Sequence, residues 1–375
     1  MMATLALLCQ RKNLWKTLKI VVAVVLLTVL VILLKTQTAG YRFKPGEQVE
    51  SESLSGDDAS WIPHLCPHYR RRRQRPQPLQ WEPPSNYTIY FTQTSCRDVL
   101  TVREACAVES ASLHHPHRPI LVFLTAPDPD RDQPLLKMIL GLGNVRLAWL
   151  DLDQVFDDEK LREWHQDRQW MFSEGRTFAE VSDAVRAEML RRFGGTFVDL
   201  DAITLRSLPS SNNWLGRLDS ALVNTAISSF VPGHPVLQSV VDNIPSSFDP
   251  YGCCSIGPNL FTRILHQECP KNVTIPSSAD PDQAERCHDV TIFPSSYFYP
   301  IHYGYERDQL ESIFREGEGL GPAFLSKTRA FSLHLFNSLS SKRKVSLSGD
   351  SVLKEVAERN CPKVFLMLRE RNMVL

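Results

Sequence analysis

The chain has 375 residues, 42 of them basic and 42 acidic, for a formal net charge of zero. That balance gives no global field for nucleic acid, so no nucleic-acid partner is expected. The length suits one large domain or two small ones with a real core.

Residues 1–19 read as a cytosolic tail carrying Arg11, Lys12, Lys16 and Lys19. Ile20 to Leu34 is an apolar run broken only by Thr28. As a helix it covers about 22 Å, short of a hydrocarbon core of about 30 Å. Leu14, Trp15 and Leu18 extend its apolar face, and Lys16 and Lys19 can snorkel. A short span suits a thin early-secretory membrane. The basic flank places the N-terminus in the cytosol and the rest in the lumen. A cleaved signal peptide ending near Ala39-Gly40 is the rival reading; the anchor is preferred because the run is at the long limit for a signal core. Residues 35–84 have the polar, Ser- and Pro-rich composition of a disordered stem. Its arginine run at 70–75 reads as a solvated tether rather than a processing site. Pro83-Pro84 then opens an ordered lumenal domain, 85–375. Eight of the nine cysteines follow the apolar run. They point to an oxidising compartment and several disulfides, with the pairing open and no zinc-ligand spacing.

Within the domain, Asn86-Tyr87-Thr88 and Asn272-Val273-Thr274 are N-glycan acceptor sequons. Thr88–Phe91 reads as a strand, Cys106–Leu113 as a helix, Ile120–Leu124 as a strand, Leu135–Leu142 as a helix and Val145–Leu150 as a strand. That alternation predicts an α/β fold, a mostly parallel sheet flanked by helices. Glu109, in the first helix, is either a cap or a nucleotide contact. Thr177-Phe178-Ala179-Glu180 fits a capping box, and Val181, Val185 and Met189 give the following helix one apolar face. The helix stops at Gly194-Gly195 and feeds a short strand tipped by Asp199 and Asp201. On a strand those acids share one side while Leu200 points into the core. Two carboxylates at a sheet's carboxyl edge suit a hard divalent cation and, through it, a diphosphate. Further on, Ala221–Asn224 reads as a strand, His234-Pro235 opens a helix to about Val241, and Gly257-Pro258-Asn259 opens one through Leu265. Thr291–Phe293 and Phe331–His334 read as late strands, and Leu353–Glu358 as a last short helix.

Several stretches occur in one order: Cys106-Ala107-Val108-Glu109-Ser110-Ala111, Ser182-Asp183-Ala184-Val185-Arg186, Phe193-Gly194-Gly195 leading to Asp199-Leu200-Asp201, Phe298-Tyr299-Pro300-Ile301, and His334-Leu335-Phe336-Asn337. Together they resemble the α1,4-glycosyltransferase family, from Thr88 to the C-terminus. The resemblance implies a GT-A-like, Rossmann-like fold in a single-pass type II Golgi membrane protein. It also implies a UDP-sugar donor, Mn2+ and retention of anomeric configuration. The expected reaction is transfer of galactose from UDP-galactose in α1,4 linkage to a glycolipid or other glycan acceptor. N-acetylgalactosamine or N-acetylglucosamine transfer, and a non-catalytic nucleotide-sugar-binding protein, are the alternatives.

By the same resemblance Asp199 and Asp201 are the catalytic acids and metal ligands. His334 is the third ligand, with a satisfied core histidine as its alternative. Asp183, Arg186, Asn224 and Gly257 would meet the donor. Leu200, Phe336, the missing glycine after Asn224 and Tyr251-Gly252-Cys253-Cys254 depart from the family pattern. These departures leave the substrate open.

Overall fold

A computed structural model describes residues 61–67, 78–173, 175–252, 254–269, 283–303 and 308–375. The apolar run 20–34, the arginine run and the Asn272 sequon lie outside them. No helix among the described residues is long and apolar enough to cross a membrane.

An eight-stranded sheet organises the domain, in the order β3-β2-β1-β4-β7-β6-β9-β8. Its strands are β1 Ile89–Gln93, β2 Ile120–Leu124, β3 Val145–Trp149, β4 Gly195–Val198, β6 Trp214–Arg217, β7 Val223–Phe230, β8 Glu285–Cys287 and β9 Val290–Phe293. A separate pair joins β5 Ala202–Thr204 to β10 Ser332–His334. The main helices are α1 Val102–His114, α2 Pro134–Leu140, α3 Thr177–Phe193, α4 Pro235–Ser247, α5 Pro258–Glu268, α6 Val352–Asn360 and α7 Pro362–Glu370.

Strand alternation builds two cores, one on each face. Ile89, Phe91, Ile120, Val122 and Leu124 pack with Val108 of α1. Tyr90, Leu121, Phe123 and Phe197 point the other way, into a cluster with Val181, Val185 and Leu190 of α3. Runs that are buried on both faces are the mark of a helix-covered sheet.

The sheet is more mixed than the sequence predicts. Strands β3, β2, β1 and β4 run parallel, as do β6 and β9. β7 is antiparallel to both β4 and β6, and β8 to β9. The reason is local. Only five residues separate β6 from β7 and two separate β8 from β9, too few for a crossover.

Three further expectations change. Trp61 and Leu65, assigned to the stem, are 1% and 3% exposed in the core, and Cys66 is disulfide-bonded to Cys96. The folded unit therefore reaches upstream of Pro83. The capping box does not form at Thr177, whose hydroxyl donates to Ser173 O at 3.2 Å, while Glu180 turns inward. A short 3-10 turn, Gln169–Phe172, runs almost directly into α3 and leaves that carbonyl in reach. A capping box forms instead at Thr101 and Glu104, ahead of α1. The late helix is followed by a second, α7, which Pro362 starts. Glu109 proves to be its cap, accepting from Lys363 N and Val364 N at 2.8 Å each.

The expected disulfides form, three of them among the described residues: Cys66–Cys96, Cys106–Cys361 and Cys269–Cys287. Cys106–Cys361 spans 255 residues and pins α7 to α1. Cross-links stabilise largely by restricting the unfolded chain, more for long loops. Replacing both cysteines with alanine is expected to cost about 2–4 kcal/mol, read as a lower urea midpoint with a larger m-value, because the freed unfolded chain exposes more surface.

Candidate active site

The site begins where α3 ends. Gly194 and Gly195 take φ of +65° and +94°. A Cβ on Gly194 would sit 2.6 Å from Pro232 Cδ, and one on Gly195 2.8 Å from Thr88 O. Only glycine serves at both. The chain then runs through β4 and turns. Asp199 and Asp201 lie in that turn, not on the strand itself. Asp199 N donates to Ala226 O at 2.7 Å, and Ala202 N to Asp199 O at 3.0 Å. Leu200 is buried, as predicted.

Antiparallel pairing of β5 with β10 places His334 opposite Ala202, next to Asp201. Each acid then has one oxygen held and one offered. Asp199 Oδ1 is held by Arg186 Nη2 at 2.9 Å. Asp201 Oδ2 accepts from Asn337 N at 2.7 Å. The other oxygens, Asp201 Oδ1 and Asp199 Oδ2, lie 3.1 and 3.9 Å from His334 Nε2. Nε2 is buried and aligned for a hydrogen bond with neither. The three ligand atoms fall within 4.8 Å of one another.

The donor chemistry fits a hard cation: two carboxylate oxygens and a buried imidazole nitrogen facing both of them. One contact opposes it. Phe336 N points at His334 Nδ1 from 3.2 Å. Nδ1 accepts that amide only in the neutral ring protonated on Nε2; a cation on Nε2, like full protonation of the ring, puts a proton on Nδ1, and the amide gives way in either state. Phe336 already sits in the left-handed region, at φ +50°. Without a cation, burial opposes charge on the ring, but Asp201 and Asp199 outweigh it and push His334 up to about 9. Burial likewise opposes the Asp201 charge, and His334 with the Asn337 amide holds its carboxyl below the usual range.

Arg186 links these acids to α3. It lies 3.3 Å from Asp183 Oδ1, donates to Thr225 Oγ1 at 2.9 Å, and stacks on the Phe197 ring. Burial pushes Asp183 up to about 6, with Asp199 adding and Arg186 opposing. Gly257, at the start of α5, is pressed against that carboxylate; a Cβ there would lie 2.2 Å from Asp183 Oδ2. Asn224 turns its Oδ1 back to Ala226 N, so contact with the acid turn comes from Thr225 and Ala226 beside it. Asn86 is exposed, at the opposite edge of the sheet.

Sequence reasoning passed over three contributors. Tyr299 is buried edge-on to His334 at 5.6 Å, and burial with Asp199 raises its phenol pKa. Asn337 supplies its backbone amide to Asp201. Arg103 braces that segment, bonding Asn337 Oδ1 and Ser340 O at 3.0 Å. Tyr299 and Asn337 both stand in the quoted motifs; Arg103 carries no local signal.

Two family models divide this site between them. "Glycosyltransferase sugar-binding region containing DXD motif" matches residues 101–221, which carry Asp183, Arg186 and both acids. "Alpha 1,4-glycosyltransferase conserved region" matches residues 229–368, which carry Gly257, Tyr299 and His334. Across these two regions the chain is similar to the α1,4-glycosyltransferases. Lactosylceramide 4-alpha-galactosyltransferase of Pan troglodytes is 28% identical over 283 residues, 74% of this chain and 76% of its own. Human alpha-1,4-N-acetylglucosaminyltransferase is 27% identical over 285 residues, covering 74% and 79%. A solved PaToxG glycosyltransferase shares 16% identity with a TM-score of 0.40 over 52% of this chain and 71% of that one, too little to bear on the site.

One more acid of this glycosyltransferase stands out. Glu180, a turn before Asp183, is buried with Oε2 unpartnered. Burial pushes it up to about 7, with Asp183 and Asp249 adding and Arg176 opposing. A carboxyl raised above its unfolded value costs stability once pH exceeds the folded pKa and costs nothing below the unfolded one. Glu180→Gln is therefore expected to raise the Tm by several degrees at pH 8 and leave it unchanged at pH 4.5, by calorimetry.

Proposed function

We propose that the enzyme is a metal-dependent, retaining α1,4-galactosyltransferase acting on a glycolipid in the Golgi lumen. In this reading residues 20–34 form the signal anchor, 35 to about 60 a stem, and the folded domain from Trp61 onward a GT-A-like catalytic unit. The observation that carries it is the convergence of Asp199 Oδ2, Asp201 Oδ1 and His334 Nε2 on one small volume, tied through Arg186 to Asp183.

Mn2+, held by Asp199, Asp201 and His334, would supply positive charge against the diphosphate leaving group of a UDP-sugar. Arg186 keeps Asp199 aimed and brings a fixed cation to the donor side. Asp183, held by Arg186 and confined by Gly257, is placed to accept hydrogen bonds from sugar hydroxyls. Tyr299 and Phe336 keep water from the acids. No carboxylate is assigned as a covalent nucleophile. Retention then requires departure and attack on one face: the bond from the anomeric carbon to phosphate oxygen breaks, the acceptor oxygen bonds to that carbon, and its proton passes to the released phosphate.

A donor screen tests this. Full chain in detergent is offered UDP-galactose, UDP-N-acetylgalactosamine and UDP-N-acetylglucosamine, with Mn2+ or EDTA, and with lactosylceramide as acceptor. Mn2+-dependent turnover of UDP-galactose is the expected outcome. Turnover of an N-acetylhexosamine donor alone would move the enzyme to the second reading, which the human N-acetylglucosaminyltransferase relative supports equally. No turnover and no donor binding would leave a non-catalytic protein.

A further inference from the structure

At the sheet's other edge, where β1 and β4 begin and β7 ends, lies a cavity of about 400 Å3. That is within the usual range for ligand pockets, roughly 300–1,000 Å3. The four residues of β4 put roughly 13 Å between it and the acid turn. Its lining includes Asn86, Tyr87, His117, Arg118, Ser210 and Ser211, and no carboxylate.

We propose that this cavity is a saccharide site for the innermost sugars of an N-glycan carried on Asn86. The inference rests on the lumenal placement above, since only a lumenal chain is glycosylated. The attachment point is on the rim. Asn86 is exposed, and the next residue, Tyr87, shows 55% of its surface. The Arg118 guanidinium covers one face of the Tyr87 ring at 5.2 Å, leaving an amphipathic platform beside the linkage. Sugars take such a surface well, apolar C–H faces on the ring and hydroxyls on the polar wall.

The lining favours a neutral sugar over a free anion. Arg118, its one fixed cation, is already committed: Nε donates to Tyr87 O at 3.0 Å and Nη2 to Thr196 Oγ1 at 2.8 Å. His115 is buried, and burial with Arg118 and His114 holds it down to about 4, so it stays uncharged. Its Nε2 accepts from Leu208 N at 3.1 Å. What remains is hydroxyl, amide and imidazole chemistry, which matches sugar hydroxyls and acetamido groups. Weak contacts suffice, because a tethered ligand meets its site at millimolar effective concentration without a second binding event.

The seated sugars would brace residues 207–212. That segment has no regular structure and hangs on Leu208 N to His115, Ser207 Oγ to His114 O at 3.1 Å, and Trp214 Nε1 to Ser211 O at 2.8 Å. The cavity thus gives the sequon a structural role apart from the chemistry at Asp199 and Asp201.

The test uses full chain made in a secretory cell line. Peptide mapping first asks whether Asn86 is occupied. Native digestion with peptide:N-glycosidase should then release the Asn86 glycan at least tenfold more slowly than digestion after denaturation. Amide exchange over 207–212 should rise at least threefold once the glycan is removed, and equally in Asn86→Gln. Ser210→Trp, which fills the cavity, should keep the glycan but lose both effects while retaining donor turnover. An unmodified Asn86, equal release rates, or exchange indifferent to the glycan would each overturn the proposal. If Asn272 is glycosylated and donor turnover is normal, such a result sinks this inference alone. If both sequons are bare, the lumenal placement falls with it.

Discussion

Asp201→Asn is expected to leave a folded protein whose donor turnover is reduced about 10²–10³-fold, the size of losing one charge-stabilising group in an active site. The amide keeps an oxygen where Oδ2 accepts from Asn337 N, so the 336–340 segment retains its anchor. What disappears is the negative charge facing His334 Nε2 at 3.1 Å. His334 loses the largest partner that raises it, and its pKa falls from about 9 toward the ordinary range. Divalent cation affinity should drop by 10-fold or more, since a carboxylate ligand has become neutral. The measurements are UDP-galactose hydrolysis at saturating Mn2+, Mn2+ titration by calorimetry, and Tm. Wild-type turnover in a variant with an unchanged Tm would remove Asp201 from the ligand set and with it the proposed mechanism.

The acid turn was legible in the sequence because its parts are contiguous. An apolar helix face, two glycines, a short strand and two acids one residue apart follow from periodicity and backbone sterics alone. Even so, the acids converge for a different reason than alternation along a strand. They sit in a turn, and β10, far along the chain, is laid against β5 to bring His334 to them. Register between distant strands leaves no local trace, so His334 could be reached only through resemblance. The same holds for Arg103 and Glu109. Each is a charged residue on an ordinary-looking helix, and each is buried because a segment more than 200 residues later needs a donor or a cap.

The misplaced capping box makes the complementary point. Thr177 and Glu180 have the correct types and spacing, yet the preceding 3-10 turn takes the hydroxyl and the core takes the carboxylate. Thr101 and Glu104, with equal spacing, do cap, because an extended Thr101 enters α1 without competition. A cap motif states what a helix start can use; the incoming chain decides whether it does. The sheet shows the same limit. Alternating strands and helices predict the parallel half correctly, while the hairpins on either side of β9 and β6 reverse direction for want of linker length.

Arg186→Met carries the largest expected loss of stability, and its pH dependence identifies the cause. Methionine can fill the space and keep contact with the Phe197 ring that the guanidinium covers at 4.6 Å. It leaves Asp183 and Asp199 without their shared cation and Thr225 without its donor. Removing one member of a buried charged set costs about 3–5 kcal/mol. The sign with pH follows from Asp183. Its folded value is already raised to about 6 with Arg186 opposing that rise. Without the arginine it climbs further. A carboxyl raised in the folded state penalises folding above its folded pKa, and the penalty fades as pH falls through that value. The stability gap between variant and wild type, from urea melts, should therefore be widest near pH 7.5 and narrow clearly by pH 5.5. Turnover should be lost at both, because Asp199 Oδ1 is freed and the carboxylate can rotate away from His334. Arg186→Lys should recover part of the stability and little of the activity, since a point charge cannot serve Asp183, Asp199 and Thr225 at once as the fork does. A gap of equal size at pH 5.5 and 7.5 would mean that lost packing, not the stranded acids, is what the arginine prevents, and Arg186 would no longer explain how Asp199 is held toward the cation.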